Sequence, residues 1–129
     1  MGKDIKSDTD SELAIRTLAM PADTNPAGDI FGGWVLSQMD IAGGLSSKKI
    51  AGGRTVTVAV DAMRFHRPVL IGDTLCCYVK TIKTGRTSIT VKVEAFVSRQ
   101  YQKKREKVTE GIFTYVKVDN DRKPVPLDE

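Results

Sequence analysis

The sequence predicts an α+β domain in which a curved antiparallel sheet wraps around one central helix. Two observations predict it. Over about residues 33–50, apolar residues recur at intervals of three and four, as a helix demands, and nearly every side of the segment is apolar or small. The second half of the chain instead alternates Val, Ile and Thr with polar residues at period two, with turn residues between the runs. A helix with so broad an apolar surface must be buried, and the sheet is the one partner available to it. One sheet cannot cover every side of a helix, so pairing with a second copy is expected.

The elements follow in order. Residues 1–10 are polar and read as a disordered arm ahead of a single domain over residues 11–126. Glu12 to Met20 reads as an edge strand ended by Pro21. The stretch from Pro21 to Gly33 carries Asp23, Asn25, Pro26, Gly28, Asp29 and Gly32, and is a loop. In the helix, Trp34, Ile41 and Leu45 form one apolar row, Val35, Met39 and Ala42 its neighbour, and Leu36 widens the surface. Lys48 and Lys49 look solvated in the last turn, at the negative end of the helix dipole, so most of the helix is expected to be buried. Gly43 and Gly44 lie inside it, each costing about 1 kcal/mol relative to alanine, which implies a large group packed closely there. Gly52-Gly53 supply the exit turn.

Strands then follow one another. Thr55 to Phe65 starts with Val56, Val58 and Val60 on one face, and a bulge near Ala62 accounts for the phase slip to Met63 and Phe65. Pro68 to Asp73 is a bend. Leu75 to Lys83 is a strand, and Thr84-Gly85-Arg86 a hairpin connection to Ser88–Val97, where Ile89, Val91, Val93, Ala95 and Val97 face one way. Gln100 to Lys107 reads as a basic loop. Val108 to Val118 alternates through Ile112, Thr114, Val116 and Val118, and Asp119-Asn120-Asp121 closes it.

The bulk numbers exclude several classes. With 129 residues, 40% of them hydrophobic, one domain can build a core without disulfides or metal. The first residues contain no apolar leader, and no run approaches the ~20 apolar residues of a membrane span, so the expected address is the cytoplasm. The two cysteines, Cys76 and Cys77, are adjacent in a strand and point to opposite faces, which suits reduced packing residues and neither a disulfide nor a metal site. The net charge of +4 suits an anionic partner without separating nucleic acid, membrane surface or a phosphorylated ligand.

Two carboxylates stand out. Asp29 precedes the helix. Asp40 lies inside it, between Met39 and Ile41, where a carboxylate rarely sits without a partner or a task. Burial favours the neutral form of a carboxyl and so strengthens its carboxylate as a base; an ion pair or a solvent-facing position is the plainer reading. Gly32-Gly33 at the helix start offer free amides backed by the dipole, which can polarise a carbonyl oxygen, although a glycine turn alone would look the same. Asp40 is seven residues beyond Gly33, about 10 Å along the axis at ~1.5 Å per residue. A base must lie within ~3 Å of its proton or one water away. Asp40 therefore cannot easily serve a carbonyl held at its own helix start, whereas an antiparallel helix of a second chain could bring its Asp40 there. His66, the sole histidine, sits in a strand tail with no nucleophile elbow in view and reads as a surface or packing residue.

The run Asn25-Pro26-Ala27-Gly28-Asp29-Ile30-Phe31-Gly32-Gly33-Trp34-Val35-Leu36-Ser37-Gln38-Met39-Asp40-Ile41-Ala42-Gly43 closely resembles the signature of bacterial YciA-type acyl-CoA thioesterases. Arg54 to Val60, Met63, Phe65, Pro68-Val69, Gly72-Asp73, Gly85 to Ser88 and Val118-Asp119 extend the resemblance from about Leu13 to Pro126. It implies a hot-dog fold, and dimers assembled into a hexamer with active sites between subunits. It implies acyl-CoA substrates over a range of chain lengths, with coenzyme A as product and no metal or redox cofactor. Asp40 takes the place of the catalytic aspartate, as general base or nucleophile. Asp29 takes that of an assisting residue from the partner subunit, and Gly32 and Gly33 that of the paired glycines.

Coenzyme A carries several phosphates, which gives the basic surplus a purpose. Arg86, with Thr87 and Ser88, is the candidate for its nucleotide or pantetheine end, and Arg64 and Arg67 are weaker ones. Two rival readings remain. A basic nucleic-acid-binding module would want exposed aromatics beside its cations, and Tyr101 alone stands beside Lys103, Lys104 and Arg105. A dehydratase on the same fold would want a histidine near the helix, which this helix lacks.

Overall fold

The computed structural model describes residues 11–61 and 63–128. The arm expected over residues 1–10 and the bulge expected near Ala62 thus lie outside the described residues. Among the described residues, five strands and one α-helix form the domain: β1 (Glu12–Leu18), α1 (Gly32–Ala51), β2 (Thr55–Val60), β3 (Thr74–Thr84), β4 (Ser88–Ser98) and β5 (Arg105–Lys117). All neighbours are antiparallel, in the order β1-β3-β4-β5-β2. This is the hot-dog arrangement, with α1 packed against all five strands of one curved sheet. As expected, β1 is an edge, and β2 is the other.

The core sits between α1 and the inner face of the sheet. Ile89, Val91, Val93, Ala95 and Val97 of β4 are all buried there, as their alternation predicts. From α1 come Val35, Met39 and Ala42, one of the two rows the sequence shows. The helix ends on Gly52, whose left-handed φ of 66° suits glycine and whose amide donates to the carbonyl of Lys48. Cys77 faces this core and Cys76 the opposite side of β3; both are buried free thiols.

Four expectations need correction. The helix is less buried than its composition implies: Leu36, Ile41, Leu45 and Ile50 stay 37–48% exposed, because the sheet reaches only one flank. The second strand ends at Val60 rather than Phe65, after a register shift between Thr57 and Ala59. The chain still follows β5, however, with the amides of Asp61 and His66 bonded to the carbonyls of Ile112 and Val108. The last strand starts at Arg105, inside the segment expected to be a loop. Its polar residues belong to a cross-strand ladder on the outer face. Lys107 bridges Glu94 and Glu110, and the Arg105 guanidinium lies 4.1 Å from the centre of the Phe96 ring. Finally, the core-facing phase of this strand is Phe113 and Tyr115, with Ile112, Thr114 and Val116 only partly buried. The alternation had pointed the other way because both phases carry residues suited to a strand.

Candidate active site

The Asp40 carboxylate is half-buried on the border of the exposed flank of α1. One of its oxygens, Oδ1, accepts from Thr57 Oγ1 at 2.7 Å and from the Tyr115 hydroxyl at 2.9 Å. The same hydroxyl is 2.9 Å from the Asp40 carbonyl oxygen. Oδ2 has no hydrogen-bond or ion-pair partner among the described residues. Thr57 reaches the helix because Thr55 and Thr57 are the helix-facing residues of this stretch of β2; Thr55 meets Ser47 at 2.7 Å. Thr57 is itself exposed, so the carboxylate is open to solvent on that side.

Tyr115 reaches Asp40 through the space left by Gly43. A Cβ on Gly43 would stand 2.3 Å from the phenol oxygen and 2.9 Å from two ring carbons. This close approach is the large packed group that a glycine inside the helix implied. Burial first, then the hydrogen bond to Asp40 and its charge, push the Tyr115 phenol well above its ordinary pKa. The hydroxyl therefore stays a donor throughout the working pH range.

Asp29 and Gly32 lie elsewhere, in a cleft of about 370 Å³ at the start of α1. Asn25, Phe65, His66 and Val69 also line it, and Asp40 does not. Asn25 shapes the approach: its side-chain oxygen accepts the amides of Ala27 at 2.9 Å and Asp29 at 3.1 Å. Its own amide donates to the carbonyl of Asp29 at 2.7 Å. Asp29 is thus fixed through its backbone while its side chain is exposed. The amides of Gly32 and Gly33 find no acceptor among the described residues, the ordinary state of a helix start. Around Gly33 there is open space for a ligand. The cleft wall is held by Asp73, which accepts the amide of Leu70 at 2.8 Å and forms an ion pair with the Arg99 guanidinium at 3.3 Å.

The candidates for the coenzyme end are spread out. Arg86 is exposed in the β3–β4 hairpin, and its carbonyl accepts the amide of Leu127. The carbonyl of Thr87 accepts the amide of Lys117, and Ser88 lines a separate hollow with Asp61 and Lys83. Arg64 is exposed, and its carbonyl accepts the Thr109 hydroxyl at 2.7 Å. None of these four lines the cleft at the helix start, whereas Arg67 does. Among the described residues no cluster of His, Cys, Asp and Glu could hold a metal ion, and no helix is long and apolar enough to cross a membrane.

Sequence reading missed Thr57, Tyr115 and Asn25. It read His66 as a surface or packing residue; the residue is exposed, and it also lines the cleft beside Gly32. A polar phase on a strand next to a helix carboxylate was the available signal for Thr57. Nothing comparable marked Tyr115, whose role depends on which face of β5 turns inward.

Residues 27–103 match the family model described as the thioesterase superfamily. The acyl-CoA thioester hydrolase YciA of Salmonella typhimurium is 55% identical over 119 residues, covering 90% of each chain. The chain belongs to the YciA-type acyl-CoA thioesterases. Similar solved structures agree with this family's fold. A hexameric thioesterase from Yersinia pestis superposes with a TM-score of 0.86 at 56% identity, covering 89% of this chain and 93% of that one. A hexameric broad-specificity acyl-coenzyme A thioesterase, solved as an aspartate-to-alanine mutant, gives 0.87 at 48% identity over 90% and 86%. As a YciA-type chain it carries the family's single helix and five-stranded sheet, with Asp40 on the helix.

Proposed function

We propose that this protein hydrolyses acyl-CoA thioesters to a free carboxylic acid and coenzyme A in the cytoplasm. The observation that carries the reading is the Asp40 carboxylate, with one oxygen held by two hydroxyls and the other without a partner among the described residues. Oδ2 takes a proton from water as the water oxygen attacks the thioester carbonyl carbon. The carbonyl electron pair moves onto oxygen and is met there by the amides of Gly32 and Gly33. Collapse of the tetrahedral species re-forms the carbonyl and breaks the C–S bond, and the departing thiolate takes the proton back from the carboxyl. Attack by Oδ2 itself, through an anhydride that water then cleaves, uses the same groups. Label from heavy-oxygen water, found in the protein after a single turnover, would mark that second route.

Amides and carboxylate have to come from different subunits. Within one chain they are about 10 Å apart along α1, and the cleft that holds Gly32 lacks Asp40. A second copy also answers two exposed features: the helix flank of Leu36, Ile41 and Leu45, and the edge strand β2 with Val58 and Val60 outward. The dimer is therefore the working unit, with Asp29 of one subunit assisting Asp40 of the other. The hexameric relatives support a further assembly of three such dimers. Arg86, Thr87 and Ser88, with Arg64, take the phosphates and pantetheine arm of coenzyme A.

The test is thiol release from a panel of acyl-CoAs by wild type and by Asp40→Asn. The amide keeps the shape and can still accept from Thr57 and Tyr115. A loss of roughly 100- to 10,000-fold is expected for a removed general base. Equal release by both proteins would remove Asp40 from the reaction. Mixed dimers of Asp40→Asn with a chain disabled at the helix start should recover one site in two.

A further inference from the structure

We propose that Tyr115 is a positioning residue for this hydrolysis, its phenol fixing Oδ1 of Asp40 so that Oδ2 is the oxygen presented to the substrate. The proposal rests on acyl-CoA hydrolysis at Asp40. A carboxylate on a helix can rotate about its last bond, exchanging its two oxygens. With donors on Oδ1 from two strands, Thr57 on β2 at 2.7 Å and Tyr115 on β5 at 2.9 Å, that rotation is blocked. The two donors differ in rigidity. Thr57 is exposed on an edge strand, beside a register shift. Tyr115 is 1% exposed, lies on a strand paired on both sides, and stacks on Phe113 with ring centres 6.5 Å apart. Its hydroxyl also lies 2.9 Å from the main-chain carbonyl of Asp40, so the phenol is indexed to the residue's backbone as well as to its side chain.

Gly43 is the second observation. The phenol occupies the place where any side chain at 43 would begin, and a helix-interior glycine is otherwise unfavourable. The helix gives up propensity at the one position that lets a buried hydroxyl reach the carboxylate three residues earlier. Among the described residues, the groups bonded to the Asp40 carboxylate are Tyr115 from β5 and the neutral Thr57 from β2. Burial, with the hydrogen bond to Asp40, raises the phenol's pKa, so it remains a donor at neutral pH.

A merely structural phenol, clamping helix to sheet through the Asp40 carbonyl, would give the same coordinates. Kinetics separate the two. Wild type, Tyr115→Phe, Asp40→Asn and Val97→Ala are assayed by thiol release from one acyl-CoA, with melting temperatures in parallel. Val97 is buried on β4, and its truncation is the stability control. Tyr115→Phe should lower kcat roughly ten- to hundredfold, the worth of a hydrogen bond to a charged group, with KM changed less than about twofold. Val97→Ala should lose melting temperature and keep kcat. Gly43→Ala, which displaces the phenol by another route, should lower kcat alike and add little on top of Tyr115→Phe. Full kcat in Tyr115→Phe, or an equal fall in Val97→Ala, would overturn the positioning role. An active Asp40→Asn would overturn the hydrolytic assignment and this role together. An inactive Asp40→Asn beside a fully active Tyr115→Phe would overturn the role of Tyr115 alone.

Discussion

Adjacent glycines in α1 should respond to alanine with opposite signs. Helix propensity treats Gly43 and Gly44 alike: each replacement gains up to about 1 kcal/mol by restricting the unfolded chain. The tertiary surroundings differ. At 44 the new Cβ meets one ring carbon of Tyr115 at 3.9 Å, an ordinary contact. At 43 it meets the phenol oxygen at 2.3 Å and two ring carbons at 2.9 Å. The ring cannot yield cheaply, because it is buried between helix and sheet and stacked on Phe113. Overpacking a well-filled core costs about 1–3 kcal/mol, and displacing the phenol from Asp40 about 1–3 more. Set against the propensity gain of about 1 kcal/mol, Gly43→Ala should destabilise by roughly 1–5 kcal/mol. Gly44→Ala should be neutral or stabilising by up to about 1 kcal/mol. For a domain of this size ~1 kcal/mol shifts Tm by about 4 °C. Thermal and urea melts at one protein concentration measure both, since an oligomer's stability depends on concentration. Changes of the same sign and size at the two positions would refute the packing account of Gly43.

Three further predictions concern protons, a thiol and phosphates. Burial, and secondarily the neighbouring Cys76, push the Cys77 thiol from 9.0 up to about 12, and the Tyr115 phenol is raised in the same direction. The native state thus holds protons that the unfolded chain releases. Stability should be fully present below pH 9.0 and fall as pH rises from there toward about 12, by at most ~1.4 kcal/mol per pH unit for each group. Urea midpoints that stay level across that window would contradict it. Cys77 should also react with thiol reagents only after unfolding, since its thiolate is suppressed. Arg86→Ala should raise KM for acyl-CoA several-fold, leave kcat in place and weaken the dependence of KM on salt. An unchanged KM would move the phosphate contact elsewhere.

The amphipathic logic of α1 was legible because a period of three to four repeated over five turns has no other reading. The β4 core was legible for the same kind of reason, since its alternation is clean. Asp40 stood out as a charge among apolar neighbours, and the motif around it was long enough to carry a resemblance. Legibility failed where two signals competed. The start of β5 looked like a loop because Arg105, Glu106 and Lys107 are charged, yet Arg105 and Lys107 meet Phe96 and Glu94 across strands on the outer face, and Glu106 pairs with Arg99. Val58 was read into an unbroken alternation, but the register shift between Thr57 and Ala59 puts the residues on either side of it out of phase. His66 read as a surface or packing residue, and only the strand order brings its segment past Gly32 to line the cleft.

The sequence by itself determined one long helix with an apolar core-facing row, a set of antiparallel strands and a carboxylate out of place, because these follow from local periodicity and from the cost of burying charge. Tertiary structure alone decided which side of β5 turns inward, and with it that Tyr115 passes under Gly43 to meet Asp40. The physical reason is that a strand whose two faces are both β-branched or aromatic has no preferred side until its neighbours are in place. Pairing with β4 and β2 fixes the register, and one residue of slip would send every side chain to the other face.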